Sequence, residues 1–494
     1  VKRSNPLTGV LGVLAFAAAA LTGGAATADA VTPAVAASGT AAAAVDPLPR
    51  ITVSDDPASR HLVDSETGAR FIPRGNNYVR LAQVADWHHH ATFEPGEYDP
   101  ARVEAALTYM GNSGYNVVRI FLDPGHPQHN VDGQPHGLGH GNDDHTVGNA
   151  AYLDNLADFL VRAAARGIYV LPAMDYYPFN AYYADIAATS APQQPNLAGW
   201  NAFYLQRSRI NAKAAYLQNV VLELRERVGA PLMTTLLALE TDNEAIFEAD
   251  QKPFSLTTGR VTGPDGRTYD LAVPAERQAL GDNGMVEYAN SLVAAVHEVD
   301  PDLMVTTGMF TYLAVNKTID GFGVRCDRTV AGNSCKDAWH YWYPPRPAAL
   351  SARSDLSFLE LHLYPEPGKT LDQNLASVEW PSVTGPVVVG EYGTRRSYHG
   401  GDVRAAAVAM RDLQVATCRA GFGGWFYWTW DTDEEAVQRE FVTATEQSGA
   451  VNGQLAPVVR YDPCLTEPSR RPVRWTPGWP VPGLPFPGGY GVSR

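Results

Sequence analysis

The chain has 494 residues, of which 45% are hydrophobic and 18% charged, with a formal net charge of −15 and an isoelectric point near 5.3. That much apolar side chain can fill a large core, which excludes wholesale disorder. The acidic balance excludes a nucleic-acid binder, since phosphate recognition needs a basic patch, and an uncharged or cationic partner fits better.

Lys2 and Arg3 precede an apolar run from Leu7 to Leu21 and the small residues Ala26-Thr27-Ala28. These are the charged region, apolar region and cleavage site of a secretory signal over residues 1–28. The run falls short of the roughly 18 residues that a membrane span needs. The expected product is therefore secreted and extracellular, with no membrane contact after cleavage; an uncleaved anchor is the alternative. Residues 29–50 read as an Ala- and Thr-rich spacer with little to pack, and residues 51–466 as the catalytic domain.

Within that domain short β-branched or aromatic runs alternate with longer amphipathic stretches, the pattern of repeated βα units. The first strand is expected at Phe71–Gly75. Asp99-Pro100 opens a helix as N-cap and first helical residue, and strand Asn116–Leu122 follows its Gly114 stop. Leu153, Leu156, Phe159, Leu160 and Ala163 form the apolar face of the next helix, which leads to strand Ile168–Ala173. Helix 211–228 precedes strand Thr235–Leu239, and helix 284–298 precedes Leu303–Thr307. Strand Ser357–Leu363 comes next. Helix 371–379 leads to Pro386–Gly390, and helix 402–419 to Gly424–Trp430. Eight strands close a parallel barrel, so the predicted fold class is α/β, a (β/α)8 TIM barrel with elaborated βα loops. A doubly wound sheet is the runner-up, but no G-x-G-x-x-G or P-loop accompanies the first strand.

A hairpin is predicted at Ser255–Val261 and Arg267–Ala272, inserted after the fourth strand, and residues 123–149 form a long loop after the second. Long loops at 78–98, 123–149 and 251–280 would wall in a pocket and favour exo over endo action. Residues 467–494, with seven prolines, predict an extended tail, whose Trp475 and Trp479 could contact carbohydrate. Of the four cysteines, Cys326 and Cys335 are near neighbours and pair locally, which leaves Cys418 for Cys464 in an oxidising compartment. A zinc site built from all four cysteines is disfavoured by this spacing.

The ends of barrel strands carry catalytic side chains. The fourth runs into Glu240-Thr241-Asp242-Asn243-Glu244 and the seventh into Glu391-Tyr392-Gly393. Two carboxylates so placed suit glycosidic cleavage, one protonating the leaving oxygen and the other attacking the anomeric carbon or activating water. At spacings of about 5–5.5 Å the outcome is retention.

Here the chain resembles the retaining glycoside hydrolase clan built on (β/α)8 barrels, and most of all its family 5 cellulases and mannanases. The resemblance spans residues 63–464 and rests on Gly68-Ala69-Arg70-Phe71-Ile72-Pro73-Arg74-Gly75-Asn76-Asn77, Asn116-Val117-Val118-Arg119, Asn243-Glu244, His362-Leu363-Tyr364, Glu391 and Tyr427-Trp428-Thr429-Trp430, in that order. It implies Glu244 as acid/base, Glu391 as nucleophile and Asn243 as a holder of the sugar 2-hydroxyl. It further implies Arg119 and Tyr364 as residues that orient and ionise Glu391, His362 as a buttress for the pair, and Trp428 rather than Trp430 as the floor of the −1 sugar. Arg119 beside Glu391 favours the charged nucleophile, whereas Glu244 must keep a proton to donate. Asn77, Asp175, Tyr176 and Trp342 complete the expected sugar contacts. The third strand ends Ala173-Met174-Asp175-Tyr176-Tyr177, where family 5 carries a histidine.

The predicted partner is an oligo- or polysaccharide of plant or microbial cell walls, cleaved by a monomer without cofactor or metal. Substrates of the clan range from β-glucans and mannans to arabinofuranosides and galactofuranosides, and a furanosidase stands as the alternative enzyme. Two other readings differ in class. One is a glycan-binding barrel without turnover. The other is a metal-dependent hydrolase using His88, His89, His90, His126, His129, His136, His140 and His145, which crowd the first two βα loops with Asp123, Asp143 and Asp144. The bland reading of those histidines is a polar loop wall. Trp339, Tyr341, Trp342 and Tyr343 in the loop after the fifth strand are candidate sugar platforms, or lid packing.

Overall fold

The computed structural model describes residues 45–465 except 57–60, 85–86, 126–136, 139–148, 179 and 312–341. The expected signal and tail (residues 1–28 and 467–494), Cys326, Cys335, Trp339, Tyr341 and five histidines of the second loop lie outside the described residues. Pro49 and Arg50, read as the end of a spacer, pack on the fold: Tyr169 donates to the Pro49 carbonyl at 2.6 Å, and Arg50 pairs with Asp300 at 2.9 Å.

Eight parallel positions make the barrel: β1 (Arg74–Asn77), β2 (Val117–Leu122), β3 (Tyr169–Met174), β4 (Ala238–Glu240), β5 (Met304–Thr306, resuming as Gly308–Phe310), β6 (Leu359–Leu363), β7 (Val387–Tyr392) and β8 (Trp425–Tyr427). The first half of β5 pairs with β4 and the second half with β6. The two ends of the sheet thus belong to one broken strand, which closes the barrel at Thr307. Outside it lie α1 (Pro100–Asn112), α2 (Ala150–Ala164), α3 (Arg207–Val228), α4 (Pro274–His297), α5 (Pro347–Arg353), α6 (Leu371–Ser377) and α7 (Val403–Arg419). Asp99 caps α1 by accepting from Ala101 and Arg102 at 2.9 and 3.1 Å, which satisfies orphan amides of the first turn.

Period-two alternation sorts each strand. On β2, Val118, Ile120 and Leu122 face outward onto the helices, joining Leu107 and Met110 of α1 and Leu156 and Leu160 of α2. Its inward set is Val117, Arg119 and Phe121. Val117 lies in an apolar plug with Tyr169, Leu237, Met304, Phe358, Val388 and Phe426. Ile51, Leu62 and Phe71 cover that plug from a three-stranded antiparallel sheet, Ile51–Val53, Leu62–Asp64 and Arg70–Phe71. Phe121 joins Val79, Ala173 and Trp428 at the opposite level. Arg119 lies between, in a polar layer.

Several boundaries differ from the sequence reading, among them the fourth strand, which begins at Ala238 after a 3-10 turn over Ala230–Thr235, and the eighth, which ends at Tyr427. The apolar pair Phe71-Ile72 suggested the first barrel strand, but Phe71 belongs to the antiparallel cap, and β1 begins at Arg74. The helix expected from 284 starts at Pro274, because Pro at N1 opens it and its first turns are polar enough to hide the period. The inserted hairpin is present but shorter than expected, at Arg260–Thr262 and Thr268–Asp270.

Candidate active site

Arg119 is fully buried and organises the polar layer. Its Nε and Nη2 donate to the two oxygens of Glu240 at 2.7 Å each. Nη1 donates to Asn77 Oδ1 and to Glu391 Oε1 at 2.8 Å, and Nη2 also reaches Asn243 Oδ1 at 2.7 Å. Tyr364 donates its hydroxyl to the other oxygen of Glu391 at 2.7 Å. Glu391 is thus held by one donor on each of its two oxygens. His362 Nδ1 stands 2.9 Å from Glu244 Oε1 and 3.7 Å from Glu391 Oε2. Burial keeps its imidazole neutral, with a pKa lowered to about 3.

The side chain of Glu391 is 8% exposed and that of Glu244 21%, so the first sits deeper and the second opens to the bowl. Glu391 faces inward because of a register shift. Val389 pairs with Leu361, but the next partner of His362 is Glu391, so Gly390 is passed over as a bulge that reverses the parity of β7. The sequence reading ended that strand at Gly390; it continues through Glu391 to Tyr392.

The remaining expected residues divide. Trp428 faces inward with Phe121, ring centroids 5.8 Å apart, and its Nε1 donates to Gln438 at 2.8 Å. Trp430 points outward onto Tyr109 and Tyr115. The Trp428–Thr429 peptide is cis. Asp175, at the end of β3, accepts the Asn243 amide at 2.7 Å, so it positions the loop that bears Glu244. Tyr176 takes a left-handed φ of 48° and packs edge-on against Trp200 at 5.0 Å. Trp342 begins a two-residue strand paired with Phe247–Glu248, which brings the loop after β5 beside the loop after β4. Asn77 was expected on the sugar, but it is fully buried. Its amide nitrogen is spent on the Gly390 and Tyr427 carbonyls at 3.3 and 3.2 Å and its oxygen on Arg119, so it supports the guanidinium.

Cys418 and Cys464 form the expected disulfide. His89 Nε2 lies 3.6 Å from Glu94 Oε1, while His126, His129, His136, His140 and His145 lie outside the described residues.

Sequence reasoning passed over Glu240, Glu360 and Lys213. Glu240 lies four residues before Glu244, and Glu360 two before His362 on the same face of β6, so alternation alone could have placed Glu360 inside the barrel. Lys213 on α3 is buried, donates to the Met174 carbonyl and faces Asp242 and Asp175. Burial lowers its pKa to about 8.

No protein-family model matches the chain, and no curated protein matches it. Among solved structures it is similar to an exo-β-1,4-mannosidase from Opitutaceae bacterium strain TAV5, with a TM-score of 0.50 and 17% identity over 83% of this chain and 62% of that one. It therefore spans less than two thirds of that enzyme's length. An endo-1,4-β-mannanase from Rhizomucor miehei gives 0.49 and 15% over 83% and 99% of the two chains. An endo-β-1,4-mannanase from Thermotoga petrophila gives 0.48 and 15% over 79% and 77%. At such identities the likeness of the first is one of fold: the chain is a (β/α)8 barrel.

Proposed function

We propose that the chain is a secreted retaining glycoside hydrolase that cleaves O-glycosidic bonds of a cell-wall glycan. One observation carries this reading: an oxygen of Glu244, an imidazole nitrogen of His362 and an oxygen of Glu391 lie within 4.8 Å of one another. Retaining enzymes hold their carboxyl groups about 5–5.5 Å apart, whereas inverting ones need about 6.5–9.5 Å to admit a water between carboxylate and sugar.

In this reading Glu391, fixed by Arg119 and Tyr364, attacks the anomeric carbon while Glu244 protonates the departing oxygen. Glu244 then takes a proton from water, which displaces Glu391 from the glycosyl-enzyme. Trp428 forms the floor for the reacting sugar, and Asn243, aligned by Arg119 and by Asp175, meets its 2-hydroxyl. The mannan-directed names of the similar structures make β-1,4-mannosides the first substrates to try, ahead of other aryl pyranosides and furanosides. The signal at residues 1–28 supports secretion, and residues 51–466 form the catalytic unit.

Proton NMR of the first-formed sugar, read before mutarotation, tests the mechanism. The anomer of the substrate is expected, and the opposite one would mean that Glu391 activates water. A mechanism-based fluoro-sugar followed by peptide mapping should label Glu391; a label on any other carboxylate refutes the assignment.

A further inference from the structure

Beneath the pair assigned to catalysis lies a second pair of carboxyl groups. Glu240 on β4 and Glu360 on β6 are both fully buried, and the double displacement uses neither. Glu240 takes two short hydrogen bonds from Arg119. Glu360 receives only a 3.5 Å approach from Arg119 Nε, and among the described residues neither of its oxygens has a hydrogen-bond donor. Thr306 on β5 faces it, but that hydroxyl donates to the Phe358 carbonyl at 2.9 Å. His362 Nε2 is likewise without a partner, although an oxygen of Glu240, an oxygen of Glu360 and a His362 nitrogen lie within 4.8 Å of one another. The fold makes room for this group. A Cβ on Gly390 would come 2.6 Å from Glu360 Oε2 and 2.9 Å from His362 Nε2.

The charges do not balance if every carboxyl is ionised. Glu360 faces Arg119 from β2, Glu240 from β4, Glu391 from β7 and His362 on its own strand. Arg119 is the one cation in this set, because the imidazole is neutral, and it would stand against three carboxylates in a dry barrel floor. Like charges so close cannot all ionise.

We propose, building on the glycosidase reading, that Glu360 carries the proton this floor requires, shares it with Glu240, and by staying neutral leaves Arg119 free to hold Glu391. Glu360 is thus a positioning residue that sets the upper pH limit of the reaction. Desolvation pushes its carboxyl up to about 7. Above that pH a new negative charge beside Arg119 Nε competes with Glu391 for the guanidinium and repels the nucleophile's carboxylate.

The test compares kcat/KM against pH for the full chain and its Glu360→Gln variant on an activated aryl glycoside. Departure of that leaving group needs little protonation, so ionisation of Glu244 does not set the alkaline limb. The limb is expected to move up by about one pH unit or more in the variant; superimposable limbs overturn the proposal. Infrared titration of the wild-type chain without substrate provides the second arm and does not depend on the variant folding. The carbonyl stretch of a buried protonated carboxyl should persist from about pH 5 and vanish near 7, well above the ordinary glutamate range. If no such band is present, the proposal fails whether or not the chain hydrolyses glycosides. Burial raises the Glu240 carboxyl as well, so the band is assigned by its loss in Glu360→Gln; a band so assigned without hydrolysis of any glycoside keeps the proton on Glu360 and sinks the glycosidase reading.

Discussion

A planar guanidinium offers five N–H donors in a rigid fork, and Arg119 spends them on Glu240, Asn77, Asn243 and Glu391 at 2.7–2.8 Å. Its place was legible because Arg119 sits mid-strand in an otherwise apolar run, where only a buried partner can offset its desolvation. Glu391 and Tyr364 were legible with it, as polar residues at the ends of apolar strands. Asn77 was misplaced because sequence cannot tell an amide that touches substrate from one that holds another side chain. Tyr364→Phe removes one of the two described donors to Glu391 without changing shape. A hydrogen bond to a charged group contributes about 1.5–3 kcal/mol, so kcat should fall by roughly 10- to 150-fold with the fold intact by circular dichroism; an unchanged kcat would mean that the hydroxyl does not act on the nucleophile. Glu244→Ala should cost about 10²–10⁴-fold on substrates with poor leaving groups and far less on activated aryl glycosides, with added azide restoring the latter. Equal losses on both substrate classes, without rescue, would remove Glu244 from the acid/base role.

At the scale of elements, the order and type of the strands and helices followed from periodicity, while the edges that build the site did not. Barrel strands are apolar along their outer face, but at the level of the polar layer the inner face of β1, β4 and β6 carries Asn77, Glu240, Glu360 and His362. A search for apolar runs therefore shifts the first strand to Phe71 and ends the fourth before Glu240. The bulge of β7 escapes such a search altogether, because it depends on how β6 and β7 register. Gly390 is where that bulge meets the carboxyl layer. Gly390→Ala places a methyl group against Glu360 Oε2 and His362 Nε2, and overpacking of this kind costs about 1–3 kcal/mol. Urea unfolding should show that loss, and kcat should fall with it because the displaced imidazole is the one that holds Glu244. A variant with wild-type stability and turnover would show that the floor is roomier than the distances indicate.

Over the whole molecule, two features can be read through stability. The Cys418–Cys464 disulfide joins α7 to the segment after β8 across 46 residues, reinforced by Arg411, which donates to the Tyr461 carbonyl at 2.7 Å. Closing a loop of this length stabilises by about 4 kcal/mol in the chain-entropy account. Cys418→Ser should show a loss of that order in denaturant unfolding, and an unchanged midpoint would mean that the packing of α7 alone fixes the segment.

The second feature is the buried carboxyl layer, whose effect on stability depends on pH with a definite sign. His362 has a lowered pKa in the fold, about 3 against an ordinary 6.5, so its contribution is present above 6.5 and is lost as pH falls toward 3. Glu360 is the reverse, raised to about 7 from an ordinary 4.5. The folded state then holds a proton that the unfolded chain has released, and its contribution is present below 4.5 and lost as pH rises through 7. Between those values the two slopes oppose each other, so a broad plateau hides both. Glu360→Gln removes only the second, and subtraction exposes it: the variant's unfolding free energy minus that of the wild type should climb steadily from about pH 4.5 to about 7.5 and stay level on either side. Urea melts at half-unit pH intervals measure this difference without any substrate. A flat difference across that window would leave Glu360 charged and place the proton on another carboxyl of the floor.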